Sequence, residues 1–452
     1  MAQSGRPPLD GIRIVDFSRV IAGPMCTQML ADMGAEVIKI ENPDGGDDTR
    51  KGAGPRAGGP QGESHFFMAF NRGKKSVALD FTKPEGQAVV QRLLEKADVL
   101  VENFRPGVLK KYGLDYPGLA KKPPKLVYLS ISAYGQTGPL SDRPGYDPVL
   151  QAESGMMSVN GEANGEGLRH AIAIVDTMTA IHSVAAINAA LFARTSTGKG
   201  QHVDLALYDT ALVSLGNMGA YYLIGGEQPR RAGNGHFASA PNSSFETSNG
   251  KIYMAVANQK LFGDTCRALG HPEWITDPRF DTVANRVANK PELTRLMEEV
   301  LKTDTKENWA HKLRHLPAGP IRTMKEALDE PEVRRRGMLK TYKHSRVGEV
   351  PLIGSNYRFS DTPVDDTRPP PALGEHTIEV GEYCFDSTAL DSIARNDEVG
   401  VRGHRRVFRE AVGRHSVLGE EPRPYTTRPK PPSKDASASA RSAPAAARSG
   451  CI

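Results

Sequence analysis

Apolar runs that alternate with helical patterns in the first hundred residues restrict this chain to an α/β fold. Residues 12–17 have the pattern of a buried strand. Apolar side chains then recur at helical spacing, at Met25, Cys26, Met29, Leu30 and Met33. Gly34 ends that helix, and residues 36–41 have the pattern of a second strand. A strand, a helix and a second strand in this order form the unit from which parallel sheets are built.

The same alternation continues along the next 170 residues. Further strand patterns occupy residues 76–80, 99–102, 126–131, 171–175 and 201–207. Helical patterns cover 85–96 and 177–194, and the second is predicted to bury Met178, Ile181, Val184, Ala185, Leu191 and Phe192. We therefore predict an open, mostly parallel α/β sheet, with ligand sites at the carboxyl ends of its strands.

A chain of 452 residues favours two or three domains. We assign residues 1–221 to a large α/β domain and 222–335 to a smaller α+β domain. The small domain has a strand pattern at 251–257 and helical patterns near 261–269 and 291–302. Residues 336–400, with Pro-rich segments and a helix near 377–395, are predicted to return to the large domain. Residues 401–452 are rich in Pro, Ser, Ala and Arg, which predicts a disordered basic tail.

Charge and cysteine content exclude several function classes. The tail holds eleven Lys or Arg and four Asp or Glu, which gives it a net charge of +7. The formal net charge of the whole chain is +5, so the first 400 residues together carry −2. The body thus lacks the basic surface of a nucleic-acid-binding protein. The cysteines are far apart and form no C-x-x-C pair: Cys26, Cys266, Cys384 and Cys451. Together with the lack of a signal sequence and of a run of about 18 apolar residues, this predicts a cytoplasmic protein outside the membrane.

Several cofactor motifs are missing from the sequence. The turn after the first strand, residues 18–24, lacks G-x-G-x-x-G, and the chain has no G-x-x-x-x-G-K-[ST], H-E-x-x-H or G-x-S-x-G. We therefore expect neither a metal site nor a tightly bound cofactor.

A set of segments along nearly the whole body resembles family III CoA-transferases, the CaiB/BaiF or formyl-CoA transferase-like group. They are PLDGIR at 8–13, AGP at 22–24, GAEVIKIE at 34–41, VENF at 101–104, GYD at 145–147, AESG at 152–155, Asp176, GKGQ at 198–201, DPRF at 277–280 and LGEHT at 373–377. Each segment alone is weak, but ten in order are specific. The resemblance implies a large parallel α/β domain with a small domain, an interlocked homodimer, and acyl-CoA and a carboxylic acid as substrates.

Asp176 occupies the position of this family's nucleophilic aspartate. The sequence pattern places it directly after the strand 171–175 and at the start of the helix from 177. A helix N-terminus favours an ionised carboxylate, which is the form that attacks a thioester. Without the resemblance, Asp176 is read as a simple helix N-cap.

The family's pattern also implies a binding site for coenzyme A. Its contacts are Val20, Ile21, Asn42, Leu79, Asp80, Phe81, Thr82, Asn103, Phe104, Lys111 and Tyr146. Cations are needed for the phosphates, and the candidates are Arg72, Lys74, Lys75, Lys110 and Lys111.

The sequence departs from the formyl-CoA:oxalate type at two places. That type has glutamine at the position of Ile21, and it has a run of four glycines where this chain has GNGH at 233–236. Segments at 46–50, 222–225 and 368–371 resemble the succinyl-CoA:glutarate and dicarboxylate branch instead. We therefore expect succinyl-CoA as donor and a dicarboxylate as acceptor. Arg50 and His236 are the candidates for binding the acceptor's distal carboxylate.

Two other functions fit the same fold. A 2-methylacyl-CoA racemase shares the aspartate but has a histidine at the position of Tyr146, and a neutral tyrosine is a poor partner in two-base proton exchange. A catalytically silent CoA-binding protein would not need Asp176.

Overall fold

A computed structural model describes residues 5–119 and 124–384. The predicted tail at 401–452, and the end of the helix predicted over 377–395, lie outside the described residues.

The strands of the described ranges are β1 (Arg13–Asp16), β2 (Glu36–Glu41), β3 (Arg56–Ala57), β4 (Glu63–Ser64), β5 (Lys74–Ala78), β6 (Val99–Glu102), β7 (Val127–Ser132), β8 (His202–Ala206), β9 (Asn242–Thr247), β10 (Gly250–Ala255), β11 (Ala318–Pro320), β12 (Leu339–His344) and β13 (Gly348–Ile353).

The helices are α1 (Ala22–Asp32), α2 (His65–Phe70), α3 (Pro84–Glu95), α4 (Tyr116–Leu119), α5 (Asp147–Glu153), α6 (Met156–Val159), α7 (Ile174–Thr197), α8 (Leu207–Ser214), α9 (Gly216–Gly225), α10 (Gln259–Leu269), α11 (Val283–Ala288), α12 (Lys290–Leu301), α13 (Lys306–Lys312), α14 (Met324–Leu328), α15 (Pro331–Arg335) and α16 (Thr377–Cys384). Short 3₁₀ turns occupy Asp48–Lys51, Leu109–Tyr112 and Pro272–Ile275.

Six parallel strands form the main sheet, in the order β5-β2-β1-β6-β7-β8. Successive side chains of a strand point to opposite faces, so Ile14 packs with α1 and α7 on one face while Val15 packs with α3 on the other. Both faces are covered, which is why the strands read as nearly continuous apolar runs. The predicted α/β class, with an open parallel sheet, is confirmed.

A smaller antiparallel sheet, in the order β11-β10-β9, lies within the segment 222–335. Its apolar face, which includes Phe245 of β9, packs with side chains of α10, α12 and α13, among them Phe262 and Trp309. Smaller antiparallel sheets thus accompany the main sheet, and β12 and β13 pair separately as a two-stranded one. The predicted domain boundaries at 221 and 335 stay a prediction.

The largest differences between the predicted strands and the structure are at 76–80 and 171–175. The strand predicted at 76–80 is β5, which begins two residues earlier because Lys74 already pairs with Val37 of β2, while its buried ammonium group pairs with Asp16 of β1. The strand predicted at 171–175 is absent: residues 171–173 form a bend, and α7 already begins at Ile174. Asp176 therefore lies in the first turn of a helix and not at the end of a strand.

The 24-residue helix α7 packs against α1 and α8 through a face that includes Val184 and Leu191. Three side chains predicted to be buried are instead exposed: Ile181 at 46%, Phe192 at 79% and the small side chain of Ala185. Among the described helices, α7 is the one long and apolar enough to cross a membrane by length and composition. Its packed face accounts for part of that apolar content.

Candidate functional site

Asp176 opens onto a pocket at the carboxyl end of the main sheet. The pocket is formed by the turn after β1, the end of β7 and the start of α5, with Val20, Ile21, Asn103 and Tyr146 in its wall. Tyr146 is 72% exposed. Gly145 beside it is needed, because a Cβ there would lie 2.8 Å from the Ala133 side chain.

The carboxylate of Asp147 caps the helix that carries Asp176. Its Oδ2 accepts hydrogen bonds from the backbone N–H groups of Val175 at 2.7 Å and Asp176 at 3.1 Å. Its Oδ1 accepts from Nε2 of Gln151 at 2.5 Å, and Asp147 itself is buried. The cap satisfies two of the amide groups that a helix start leaves without partners. The first turn of α7, and with it the Asp176 backbone, is fixed by this contact.

Burial raises the pKa of Asp176 to about 7, and the negative charge of Asp147 adds to the increase. The helix N-terminus was expected to favour the ionised form, but desolvation and a like charge outweigh it. Near neutral pH a substantial fraction of Asp176 is ionised, and a carboxylate with a raised pKa is a stronger nucleophile than an ordinary one.

The turn facing Asp176 is held in an uncommon conformation. Val20 has φ 70°, in the left-handed region that a β-branched residue rarely adopts. Asn103 fixes the preceding residue, because its Oδ1 accepts from Arg19 N at 2.8 Å and its Nδ2 donates to Arg19 O at 2.7 Å. Val20 N–H itself donates to Asp47 at 3.3 Å. Strain of this kind persists where the surroundings fix it, often at functional sites.

A cluster of buried charged side chains also holds the turn that follows β1. Lys39 pairs with Asp47 at 3.0 Å and donates to the Ser18 carbonyl at 2.6 Å. Asp16 accepts from Ser18 N at 2.9 Å and pairs with Lys74 at 3.1 Å. Burial would raise the pKa of Asp16, but Lys74, Lys39 and two hydroxyl donors lower it to about 2. Burial would also raise the pKa of Asp47, but Lys39 and the hydrogen bonds from Thr49 lower it, so both acids are ionised at neutral pH beside buried cations.

A second cleft continues from the Asp176 pocket and is the candidate nucleotide site. Six of the predicted CoA contacts line it: Asn42, Leu79, Asp80, Phe81, Thr82 and Phe104. The ring of Phe81 packs edge-to-face against Phe17 at 5.3 Å and Phe104 at 6.0 Å between centroids, so one wall is aromatic. Arg19 and Asp48 line both clefts and mark the place where they meet.

The structure thus brings ten of the eleven predicted CoA contacts to these two adjoining clefts. Lys111 is the exception, since it lies in a 3₁₀ turn and lines neither. Three candidate phosphate ligands are already engaged elsewhere: Arg72 pairs with Asp32 at 2.6 Å, Lys74 with Asp16, and Lys75 with Glu36 at 2.8 Å.

Neither candidate for the distal carboxylate lines the Asp176 pocket. Arg50 is buried, pairs through two nitrogens with Glu41 at 2.8 Å, and lies 3.4 Å from the centre of the Phe67 ring. His236 lies in a loop, where its ring stacks on Phe237 at 4.9 Å and its Nδ1 accepts from Ala238 N at 3.1 Å.

Sequence reasoning missed Asp147, Asp47 and Arg19 as contributors to the site. Asp147 belongs to the GYD segment, which was used only as a mark of resemblance. The segment 46–50, which contains Asp47, was used in the same way. Nothing local in the sequence shows that these side chains meet backbone groups far along the chain.

The model of CoA-transferase family III matches residues 9–377, which is most of the chain. The chain belongs to this family. Its members transfer CoA between acyl-CoA thioesters and carboxylic acids, so CoA thioesters are substrates of this enzyme, and the predicted family and enzyme class are confirmed.

Two curated relatives match this chain over most of their own length and most of its length. The chain is 42% identical over 380 residues to the succinate–glutarate CoA-transferase of Agrobacterium fabrum, which covers 83% of this chain and 95% of the relative. It is 37% identical over 375 residues to the human succinyl-CoA:glutarate CoA-transferase, with 82% and 85% covered.

Solved structures agree with the fold. A CaiB/BaiF family protein from Brucella suis superposes with a TM-score of 0.76 at 39% identity, covering 84% of this chain and all of that one. A Mycobacterium tuberculosis protein described as hypothetical gives a TM-score of 0.73 at 32% identity, again with 84% and 100% covered.

Proposed function

We propose that this CoA-transferase moves CoA from succinyl-CoA to a dicarboxylate of four to six carbons through a covalent relay on Asp176. The observation that carries the proposal is the position of Asp176 at the junction of the turn after β1 and the start of α7, with a pKa near 7, beside a cleft lined by aromatic side chains. The named activities of the relatives support the choice of donor and acceptor.

The relay begins when a carboxylate oxygen of Asp176 attacks the thioester carbon of succinyl-CoA. The C–S bond breaks, CoA leaves as a thiolate, and a succinyl-aspartyl anhydride forms. The thiolate then attacks the aspartyl carbonyl, which releases succinate and leaves an aspartyl-CoA thioester. The bond energy of the thioester is conserved, so no ATP is required.

The second half of the relay reverses these steps with the acceptor. A carboxylate of the dicarboxylate attacks the aspartyl thioester and expels the thiolate, giving a new mixed anhydride. The thiolate attacks the acceptor's acyl carbon, the C–O bond to Asp176 breaks, and the free Asp176 carboxylate is restored. Every step needs Asp176 and the thiolate in one pocket that excludes water, because water would hydrolyse the anhydride.

We further infer a homodimer. Large apolar side chains remain exposed on α7, α8 and α9, and such a patch indicates a protein interface. They are Phe192, Val213, Leu223 and Ile224, with exposures from 67% to 89%. Light scattering on the purified protein would give the mass of a monomer if this inference is wrong.

Trapping of the intermediate tests the relay. Succinyl-CoA and hydroxylamine are added together, and peptide mass spectrometry is used to look for a hydroxamate at Asp176. The variant Asp176→Ala is expected to lose transfer to glutarate while still binding CoA. Turnover near that of the wild type in this variant would overturn the proposal, and α-deuterium exchange into 2-methylacyl-CoA would favour the racemase alternative.

A further inference from the structure

Arg19 combines a fixed backbone with a weakly held charge. Its backbone N–H and carbonyl both bond to Asn103, so the position of the residue is set. Its guanidinium contacts Asp48 through Nη1 at 3.2 Å, and both side chains are largely exposed, at 46% and 68%. A surface pair of this kind contributes little stability and exchanges easily.

The position of the guanidinium matters because of what surrounds it. Among the described residues that line the Asp176 pocket, Arg19 alone carries a positive charge, whereas Asp48 and Asp176 are acidic. When one carboxyl group of a dicarboxylate is joined to Asp176 in the anhydride, the other carboxylate brings a further negative charge into this pocket. Without a cation that charge would be repelled and poorly solvated.

Other cations near the clefts are committed elsewhere. Lys39 is buried and pairs with Asp47 at 3.0 Å, and Arg50 is buried against Glu41. Lys51 lines the nucleotide cleft but not the Asp176 pocket. Arg19 has five N–H donors and uses one of them on Asp48, so a planar pair of donors remains for a second carboxylate.

We propose that Arg19 binds the distal carboxylate of the dicarboxylate acyl group and thereby determines acceptor specificity. The incoming carboxylate displaces or shares the contact that Asp48 makes in the free enzyme. The ring of Phe104, 5.1 Å from the guanidinium carbon, supports the side chain from one side. This inference rests on the proposed function, since it assigns the substrate-recognising residue of that same pocket.

Competition between acceptors provides the test. The full-length enzyme receives succinyl-CoA with equal amounts of glutarate and valerate, which differ at the distal carboxylate, and both CoA products are quantified by mass spectrometry. The two acids compete for one aspartyl-CoA intermediate, so any effect of the variant on the donor half cancels in the ratio. Arg19→Gln is expected to lower the glutarate-to-valerate product ratio by about 10- to 100-fold, the loss typical of a hydrogen bond to a charged group.

Two matched variants separate this role from others. Arg19→Lys keeps the charge but not the planar fork, and we expect it to restore part of the ratio. Lys51→Gln removes a cation that lines only the nucleotide cleft, and we expect its ratio to equal that of the wild type, whatever happens to the KM for succinyl-CoA.

The outcomes are distinct. If Arg19→Gln slows transfer to both acids equally and raises the KM for succinyl-CoA, Arg19 serves CoA binding and the inference is overturned. An unchanged ratio with unchanged rates overturns it as well. If the wild type transfers CoA to neither acid, the proposed function fails, which is a different result from a wild type that is active and a variant that keeps its preference.

Discussion

The carboxylate of Asp147 accepts a hydrogen bond from the backbone N–H of Asp176 at 3.1 Å, although 29 residues separate them. This single group has two opposing effects on the candidate nucleophile. It fixes the helix turn that aims Asp176 into the pocket, and its negative charge contributes to the raised pKa of Asp176. Position and protonation state are therefore coupled through one buried side chain.

Replacing Asp147 by Asn should separate these effects. The amide oxygen can still accept from the helix start, but the negative charge is lost, so the pKa of Asp176 should fall. We expect the acid limb of the kcat–pH profile to move to lower pH by about one unit, because ionised Asp176 then persists in more acidic solution. The profile is measured from pH 5 to pH 9 at saturating substrates.

Two controls accompany that measurement. Asp142→Asn removes an exposed acid from the same region of the chain, and its profile should match that of the wild type. Asp147→Ala also removes the helix cap, and it should lower the free energy of unfolding by about 1–2 kcal/mol. An acid limb that stays in place in Asp147→Asn would show that burial alone sets the pKa of Asp176.

The same pKa predicts a pH-dependent stability gain in Asp176→Asn. In the folded state the pKa of Asp176 is raised to about 7 from an ordinary 3.8. The folded protein therefore holds a proton that the unfolded chain releases, and stability falls as pH rises between these two values. At pH 8 the full cost of the buried charge is present, and the variant avoids it.

We expect Asp176→Asn to exceed the wild type in unfolding free energy by about 1–3 kcal/mol at pH 8, with a much smaller gain at pH 4. Urea denaturation followed by circular dichroism at both pH values measures this difference. An equal gain at the two values would point to packing instead of ionisation.

The parallel sheet could be predicted from the sequence because its strands are local apolar runs bounded by turns. The strands at 36–41 and 99–102 were predicted with the boundaries that the structure has. Burial on both faces makes such runs conspicuous without any knowledge of their neighbours.

The start of α7 could not be predicted, because its cap is not local. Residues 171–175 are apolar and partly β-branched, which favours a strand. The Asp147 carboxylate instead satisfies the amides of Val175 and Asp176 and lets the helix begin at Ile174. Phe192 is a similar case. Its helical spacing predicted burial, but whether another part of the chain covers it depends on the tertiary structure, and Phe192 is exposed.

The conformation of Val20 gives a further prediction. A β-branched residue at φ 70° is strained by about 1–2 kcal/mol, whereas glycine adopts this region freely. Val20→Gly should therefore leave the free energy of unfolding within about 1 kcal/mol of the wild type. The turn facing Asp176 becomes less restricted, so we expect kcat to fall by about tenfold. Stopped assays with succinyl-CoA and glutarate measure the rate.

Val20→Ala is the control for that variant. Alanine removes the branched side chain but keeps the restriction that a Cβ imposes on the backbone. Its kcat should lie closer to the wild type than that of Val20→Gly. Equal losses in both variants would mean that contact by the valine side chain matters more than the geometry of the turn.

Arg50 provides the last prediction, because its surroundings favour a structural role over the substrate contact expected from the sequence. Its guanidinium pairs with Glu41 at 2.8 Å and Glu63 at 3.3 Å, and all three side chains are buried. Arg50→Met leaves the buried Glu41 carboxylate without its bidentate partner and leaves Glu63 with Arg346 alone, at 3.3 Å. The free energy of unfolding should therefore fall by about 3–5 kcal/mol. Arg50→Lys keeps the charge without the bidentate fork, should lose less, and can be studied if the first variant does not fold. In Arg50→Lys the preference for glutarate over valerate should remain that of the wild type in the competition assay. A variant that unfolds like the wild type but loses this preference would instead assign Arg50 to the acceptor's distal carboxylate.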